Sequence, residues 1–307
     1  MNDVKALILC NNPIALPGIR EFLFYGKVAG MATPARNKEM QHLLKDSGVP
    51  LLPVNRKNYR EELASFIRTE QVNVCLLMTF PYIISKELLA LPEKGFINFH
   101  FGLLPACRGP QPILMHLLNN DREAGITVHK VDEGIDTGPI IMQERVLIEE
   151  TDTYGTLQTK LAYLAAKQAA NLLKILSFGT ILPATPQDET KANYYEMPTA
   201  AALTIRWEEM TAAEIVRLVN ACNPWNKGAG AHIGEWFIGI TEAIIAGEAA
   251  NDATAPGTIM HCDSENGLVV RTKDAKRLKI SIVFTNEGFF SGSRMSLFGI
   301  EAGMRFS

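Results

Sequence analysis

Short apolar runs separated by longer amphipathic stretches set the rhythm of the first half of the chain. Residues 4–10, 28–32, 51–54 and 72–77 are compact and apolar, as is the run Gly95-Phe96-Ile97 that leads into Asn98. Such runs fit buried strands. Residues 19–23, 38–46, 60–69 and 85–91 carry helical spacing instead, with Leu63, Phe66 and Ile67 marking one face. Further strands are expected over 127–131 and 140–146, and a long helix over 153–176 on Leu157, Leu161, Leu164 and Ala165. Strands alternating with helices predict a mostly parallel, Rossmann-like sheet covered on both faces. The first strand is followed by Asn11-Asn12-Pro13 without a GxGxxG pattern, so no dinucleotide site is expected there.

The rhythm then changes. Residues 180–206 contain Pro183, Pro186 and Pro198 and show no sustained period. A helix is expected over 212–221, followed by short strand-like runs at 236–245, 258–262, 267–272 and 278–283, with Asn266-Gly267 as a turn. Regular short strands predict a small β-barrel, OB-like in size. The expected division is a catalytic domain over 1–185, a linker over 186–206 and a smaller β-barrel domain over 207–307. Trp225 and Trp236 are expected in its core.

A length of 307 residues agrees with two domains. The net charge of −3 shows no global basic bias for nucleic acid, although a local basic groove fits within a neutral total. Lys227 and the cluster Lys273, Lys276, Arg277 and Lys279 are the candidate patch, with a solvated face as the simpler reading. The five cysteines are scattered and form no CxxC pair, so neither disulfides nor a structural metal is expected. No signal peptide is legible and no run is long enough to span a bilayer, which points to the cytoplasm.

The chemistry gathers between residues 98 and 136. Asn98 and His100 are two apart, so on an extended segment both side chains point to one face. Ligands in open α/β sheets bind beyond the carboxyl ends of the strands. Asp136 lies in a Gly-rich loop after the 127–131 run, so an amide, an imidazole and a carboxylate form a candidate acyl-transfer constellation. Each residue also has a plainer reading. Asn98 and His100 can satisfy turn backbone, Asp136 before Thr137-Gly138-Pro139 is good turn chemistry, and Arg108 can form a surface ion pair. His129 can be a satisfied buried histidine, and His116 on the 113–118 helix reads as structural. Cys107 beside Arg108 has no thiol chemistry to perform here.

Taken together, the motifs resemble the signature of the 10-formyltetrahydrofolate-dependent formyltransferases. These include methionyl-tRNA formyltransferase, sugar N-formyltransferases and phosphoribosylglycinamide formyltransferase. Their pattern runs Asn-x-His-x-Ser-Leu-Leu-Pro, Arg-Gly, Gly-x-Thr-x-His and Asp-x-Gly-Pro. It corresponds here to Asn98–Pro105, Arg108-Gly109, Gly125–His129 and Asp136–Pro139, with Gly102 where serine is usual. Asn223-Pro224-Trp225 and Pro256–Ile259 resemble the second domain of the tRNA enzyme and of some sugar enzymes.

The resemblance implies that Asn98, His100 and Asp136 are catalytic. Asn98 and His100 would donate to the developing oxyanion as an amine attacks a formyl carbon, and Asp136 would move protons and favour charged His100. It further implies 10-formyltetrahydrofolate as co-substrate, held largely by backbone groups at Met78, Phe80, Tyr82, Ile83, Val131, Gly134 and Ile135, with no metal. Arg108 is the candidate for an acidic acceptor or its phosphate, with His129 in support. The tRNA enzymes carry a basic, Gly-rich loop after the second strand. Residues 33–39 are short and hold only Arg36 and Lys38, which favours a small amine such as an amino-sugar nucleotide over aminoacyl-tRNA. A formyltetrahydrofolate hydrolase would share the three residues, but that family carries a regulatory domain ahead of the catalytic one, whereas here the first strand begins at residue 4. A folate-binding protein without turnover is the remaining alternative.

Overall fold

The computed structural model describes residues 4–178, 182–250 and 253–307. The chain divides into two compact units. The first comprises Met1–Pro112, Glu123–Leu147 and Gln158–Glu196, the second Ile113–Arg122, Ile148–Leu157 and Met197–Ser307.

In chain order the elements are β1 (Lys5–Cys10), α1 (Leu16–Tyr25), β2 (Lys27–Pro34), α2 (Lys38–Leu44), β3 (Leu51–Val54), α3 (Tyr59–Thr69) and β4 (Val74–Met78). There follow α4 (Lys86–Leu89), β5 (Phe96–His100), α5 (Pro112–Leu118), β6 (Glu123–Lys130), β7 (Ile140–Leu147) and α6 (Tyr154–Ser177). The first unit holds a seven-stranded sheet in the order β3-β2-β1-β4-β5-β6-β7. The first five strands pair in parallel, while β6 runs antiparallel to β5 and β7 to β6. This is the expected mixed α/β, Rossmann-like sheet, extended by two antiparallel strands.

The sheet is apolar throughout its centre because both faces are covered. On one face Leu7, Leu9, Cys75, Leu77 and Phe96 join Tyr59, Leu63 and Ile67 of α3 in one buried cluster. On the other, Phe22 of α1 meets Phe99 of β5 edge to face at 6.4 Å. Gly18 of α1 lets that helix close on Met78, whose Cε would lie 3.3 Å from an added Cβ, and on the Ala165 carbonyl of α6. Met78 ends β4 and is fully buried, so the strand expected over 72–77 runs one residue further.

The second unit carries α7 (Ala212–Cys222), β8 (Ala229–Ile233), β9 (Trp236–Glu248), β10 (Ile259–Asp263), β11 (Gly267–Arg271), β12 (Lys276–Thr285) and β13 (Gly288–Ser291). Thr211 and Glu214 form a reciprocal capping box that starts α7. The strands form a six-stranded sheet of order β10-β11-β12-β9-β8, with β13 on β12, and all its ladders are antiparallel. Trp236 was expected in the core, but it opens β9 at 48 % exposure. Trp236 and Phe237 are both exposed at the start of β9, and burial begins at Ile238. The buried indole is Trp207, stacked on Phe306 at 5.3 Å, while Trp225 is half-buried against Tyr154 at 6.0 Å. Within the basic cluster, Lys273 donates to the Glu209 carbonyl at 3.0 Å. Among the described residues no helix is long and apolar enough to cross a membrane.

Candidate active site

Strand register assembles the site. Antiparallel pairing of β5 with β6 sets Asn98 opposite His129 and His100 opposite Thr127. Cross-strand partners share a face, so Asn98, His100 and His129 converge, with Thr127 behind them. Asn98 Nδ2 lies 3.1 Å from His129 Nε2, and His129 Nδ1 lies 2.8 Å from the Lys130 carbonyl. That carbonyl accepts only, so His129 carries its proton on Nδ1 and presents a lone pair to the Asn98 amide.

Asp136 enters this cluster from the loop between β6 and β7. The loop is closed by Asp132 Oδ1, which accepts from Gly134 N at 3.1 Å and Thr137 Oγ1 at 2.6 Å. Gly138 is required by space, since a Cβ there would lie 1.8 Å from the Lys130 carbonyl. Asp136 itself sits at φ 56°, a left-handed conformation that aspartate tolerates better than most residues. Its Oδ1 lies 3.4 Å from Asn98 Nδ2, 3.5 Å from His100 Nδ1 and 3.7 Å from His129 Nε2, and its Oδ2 accepts from Gly109 N at 3.1 Å.

These contacts decide the carboxyl's charge. Burial is the largest influence and alone would raise its pKa. The charge of His100 and the hydrogen bonding around the carboxyl, the Gly109 N–H included, together outweigh it and hold Asp136 at about 2. His100 Nε2 lies 2.7 Å from the Cys107 carbonyl, so an acceptor faces each nitrogen of the buried ring. A charged imidazolium satisfies both.

The loop from Gly102 to Gly109 is pinned beneath the site. Thr127 Oγ1 donates to the Gly102 carbonyl at 2.7 Å and accepts from Leu104 N at 3.2 Å, and Gln143 Nε2 donates to the Leu104 carbonyl at 2.9 Å. Gly102 turns out to touch the cluster: a Cβ there would lie 2.8 Å from His100 Nε2 and 2.6 Å from Pro112 Cβ. The departure from serine at this position therefore bears on His100 itself, and not on loop shape alone.

The other expected positions divide. Phe80 and Tyr82 are half-buried and form an aromatic group with Tyr59, whose hydroxyl donates to the Ile83 carbonyl at 2.6 Å. Val131 packs against the same cluster, and Lys86 pairs with Glu133 at 2.8 Å, so the 78–84 and 131–137 loops come together. Ile83 and Ile135 are exposed apolar tips of those loops, and Gly134 is exposed between them. The Met78 side chain points to Gly18, which leaves only its backbone for a ligand. Arg108, expected to meet an acceptor, is buried and turned elsewhere. It donates to Gln187 Oε1 from Nε at 3.2 Å and Nη2 at 2.8 Å, and to Glu189 from Nη1 at 2.9 Å and Nη2 at 2.7 Å. His116, read as structural, is buried against Asp121 at 2.7 Å.

Sequence reasoning passed over Gln187, Glu189, Thr127 and Gln143. Thr127 was visible inside the Gly125–His129 motif. The glutamines and Glu189 carried no signal beyond polarity.

Amide and imidazole donors beside a buried carboxylate, at the carboxyl end of a parallel sheet, form a candidate group-transfer site. A family model described as formyl transferase matches residues 26–173, and one described as formyl transferase, C-terminal domain, matches residues 199–288. Methionyl-tRNA formyltransferase of Kosmotoga olearia is 30 % identical over 239 residues, 78 % of this chain and 75 % of the relative. The chain belongs to the formyltransferase family and is a formyl-transferring enzyme. Two solved structures share its fold. HypX from Aquifex aeolicus in complex with tetrahydrofolic acid superposes at a TM-score of 0.68 with 13 % identity over 96 % of this chain. This chain spans about half, 47 %, of the length of HypX. The N-formyltransferase from Helicobacter canadensis, in complex with folinic acid and dTDP-3-aminofucose, superposes at 0.67 with 19 % identity over 90 % of this chain and 98 % of that one.

Proposed function

We propose that this enzyme moves a formyl group from 10-formyltetrahydrofolate to the primary amine of a small molecule, with Asn98, His100 and Asp136 as its catalytic residues. The observation that carries the reading is the convergence of Asn98 Nδ2 and His100 Nδ1 on one Asp136 oxygen, within 3.5 Å, in a chain of this family. When bound, the folate supplies a formyl group on a nitrogen able to leave. The exposed apolar tips Ile83 and Ile135, beside half-buried Phe80 and Tyr82, suit a flat heteroaromatic ring. Backbone groups at Met78, Val131 and Gly134 would orient it.

The side chains divide the remaining work. Asn98 Nδ2 and charged His100 are the donors for negative charge on a carbonyl oxygen, and one such donor is typically worth roughly 3 kcal/mol in the transition state. Asp136, ionised throughout the neutral range, keeps His100 charged and accepts the proton that an attacking amine must lose, directly or through water. His129 holds the Asn98 amide through its lone pair, which makes it a supporting residue. The residues at 1–185 are taken as the catalytic domain, with 186–206 connecting it to a barrel-like module at 207–307. Single bridges from Ile233 to Phe306 and from Thr258 to Arg305 support the barrel reading by tying β8 and the approach to β10 to one C-terminal segment.

The small acceptor is favoured by the turn between β2 and α2. It spans only Ala35, Arg36 and Asn37, and Asn37 is spent on Asn11 at 2.7 Å and on capping α2 at Met40 N. Methionyl-tRNA is the second reading, favoured by the Kosmotoga olearia relative and by the match of the second domain. The test is formyl transfer from 10-formyltetrahydrofolate to competing acceptors, charged initiator tRNA and a panel of amino-sugar nucleotides, with an Asn98→Ala/His100→Ala double variant as blank. A formylated sugar nucleotide with inert tRNA is the expected result. Formylated methionyl-tRNA would overturn the small-amine reading, and tetrahydrofolate released without any acceptor would favour the hydrolase.

A further inference from the structure

The structure assigns to Gln187, acting with Arg108 and Glu189, the role of a positioning clamp that holds the Asp136 carboxylate over Asn98 and His100. The inference rests on the proposed function for its catalytic meaning, and on geometry alone for the clamp.

Gln187 spends its whole amide on two loops. Its Nε2 donates to the carbonyls of Asp136 and Gly138, each at 2.8 Å, and its Oε1 accepts from Arg108 Nε and Nη2. Arg108 is 4 % exposed, and Glu189 grips it in a fork–fork pair at 2.7 and 2.9 Å. The residue after Arg108 is Gly109, whose N–H holds Asp136 Oδ2. Asp136 is thereby held at both ends. Gln187 binds its backbone carbonyl, Gly109 binds its carboxylate, and Arg108 links the two holders.

Backbone contacts reinforce the circuit. Arg108 N donates to the Asn193 carbonyl and Tyr195 N to the Arg108 carbonyl, each at 3.0 Å, and the Tyr194 hydroxyl donates to the Ile135 carbonyl at 3.0 Å. The fit at Gly109 admits no side chain, since a Cβ there would lie 2.1 Å from the Tyr195 carbonyl. A left-handed residue other than glycine is strained and persists only where its surroundings fix it. Residues 187–195 supply that fixation. The chemistry also selects glutamine. Glutamate would set a carboxylate against two carbonyl oxygens, and asparagine is one methylene too short to reach them from the same backbone.

The test uses the full-length enzyme with Gln187→Ala, Arg108→Lys and Glu189→Gln. Steady-state formyl transfer separates kcat from KM, and NMR amide exchange reads the Gly109 N–H directly. For Gln187→Ala we expect kcat to fall by about a hundredfold, as for a misplaced catalytic group, with KM for donor and acceptor within about twofold. The Gly109 amide should exchange about tenfold faster while Leu76 in β4 keeps its protection. The acid limb of the rate profile should move toward neutral pH, because a carboxylate drawn away from charged His100 and the Gly109 N–H, with His129, Arg108 and Tyr194 alongside, ionises less readily. Arg108→Lys should behave similarly, and it serves if Gln187→Ala fails to fold. Glu189→Gln, which keeps one acceptor for Arg108, loses the second and leaves the Gln187–Arg108 bonds in place, should lower kcat by less than about tenfold.

A raised acceptor KM at unchanged kcat would overturn the clamp and make Arg108 a binding residue. Loss of Leu76 protection in step with kcat would reduce the arm to a structural strap. An unchanged Gly109 amide would end the proposal whatever the activity. If the wild type formylates no amine, the proposed function fails, and the exchange experiment still judges the clamp by itself.

Discussion

Two polar clusters of this molecule make opposite use of charge. In the first unit, Asn98, His100, His129 and Asp136 are buried or half-buried and converge on a single oxygen. In the second, a cavity of about 570 Å³ is lined by Trp207, Phe306, Arg206, Arg305 and His232. There, Arg206 pairs with Glu209 at 2.7 Å and Arg305 pairs with Glu208, all of them about half exposed or more. Its charges are answered by each other in water. The charges of the first cluster are answered by a strained loop and by strand register, and an incoming group would compete for the same donors. Convergence of titratable groups in a buried place makes the first cluster the candidate for chemistry, a distinction concavity alone does not confer.

The largest effect should come from removing a member of the convergent set. Asn98→Ala and His100→Ala are each expected to lower kcat for formyl transfer by about 10²–10³, with thermal stability little changed. Asp136→Asn should do at least as much, since it removes both the proton acceptor and the charge that supports His100. Activity retained in any of these, measured with saturating donor, would break the contrast between the clusters.

A smaller effect is expected from crowding the site without changing its chemistry. Gly102→Ala places a methyl 2.8 Å from His100 Nε2 and 2.6 Å from Pro112 Cβ. Overpacking of this kind costs about 1–3 kcal/mol. It should displace the His100 bond to the Cys107 carbonyl, so kcat should drop more than KM rises. Thermal melts and kinetics on the same variant separate the two consequences.

The acid limit of stability gives a third comparison. The folded-state pKa of Asp136, about 2, lies below its usual 3.8, so the unfolded chain binds the proton more readily. The resulting stabilisation of about 2 kcal/mol is whole above about pH 4 and is lost as the pH falls through about 2. Urea unfolding between pH 2.5 and 5 should show this slope in the wild type and lack that component in Asp136→Asn.

How much of this was legible depended on where each partner lies in the chain. The strand and helix order followed from runs such as 4–10 and 72–77, because a doubly covered sheet writes itself as unbroken apolar segments. Asn98, His100 and Asp136 were legible because their spacing and the surrounding motifs fall within one continuous stretch. The ion pair of Arg108 was not legible because its partner Glu189 is 81 residues away, in a Pro-rich segment where buried and solvated polar residues look alike. Gln187 was invisible for the same reason. Trp236 was assigned inward on size alone, but it lies at the very start of β9, where Phe237 beside it is exposed as well and burial begins only at Ile238.

The smallest effect belongs to the second cluster, and its smallness is informative. Arg206→Ala breaks a pair whose side chains are 53 % and 67 % exposed. Exposed pairs of this kind contribute up to about 1 kcal/mol and often nothing measurable. Formyl transfer to a small amine should be unaffected, and the melting temperature should move by no more than a degree or two. With charged tRNA as acceptor, a selective rise in KM would instead give the cavity a role in acceptor binding and strengthen the tRNA reading. Equal kinetics with both acceptors would leave Arg206 and Glu209 as a solvated pair, with the acceptor's determinants lying outside this cluster.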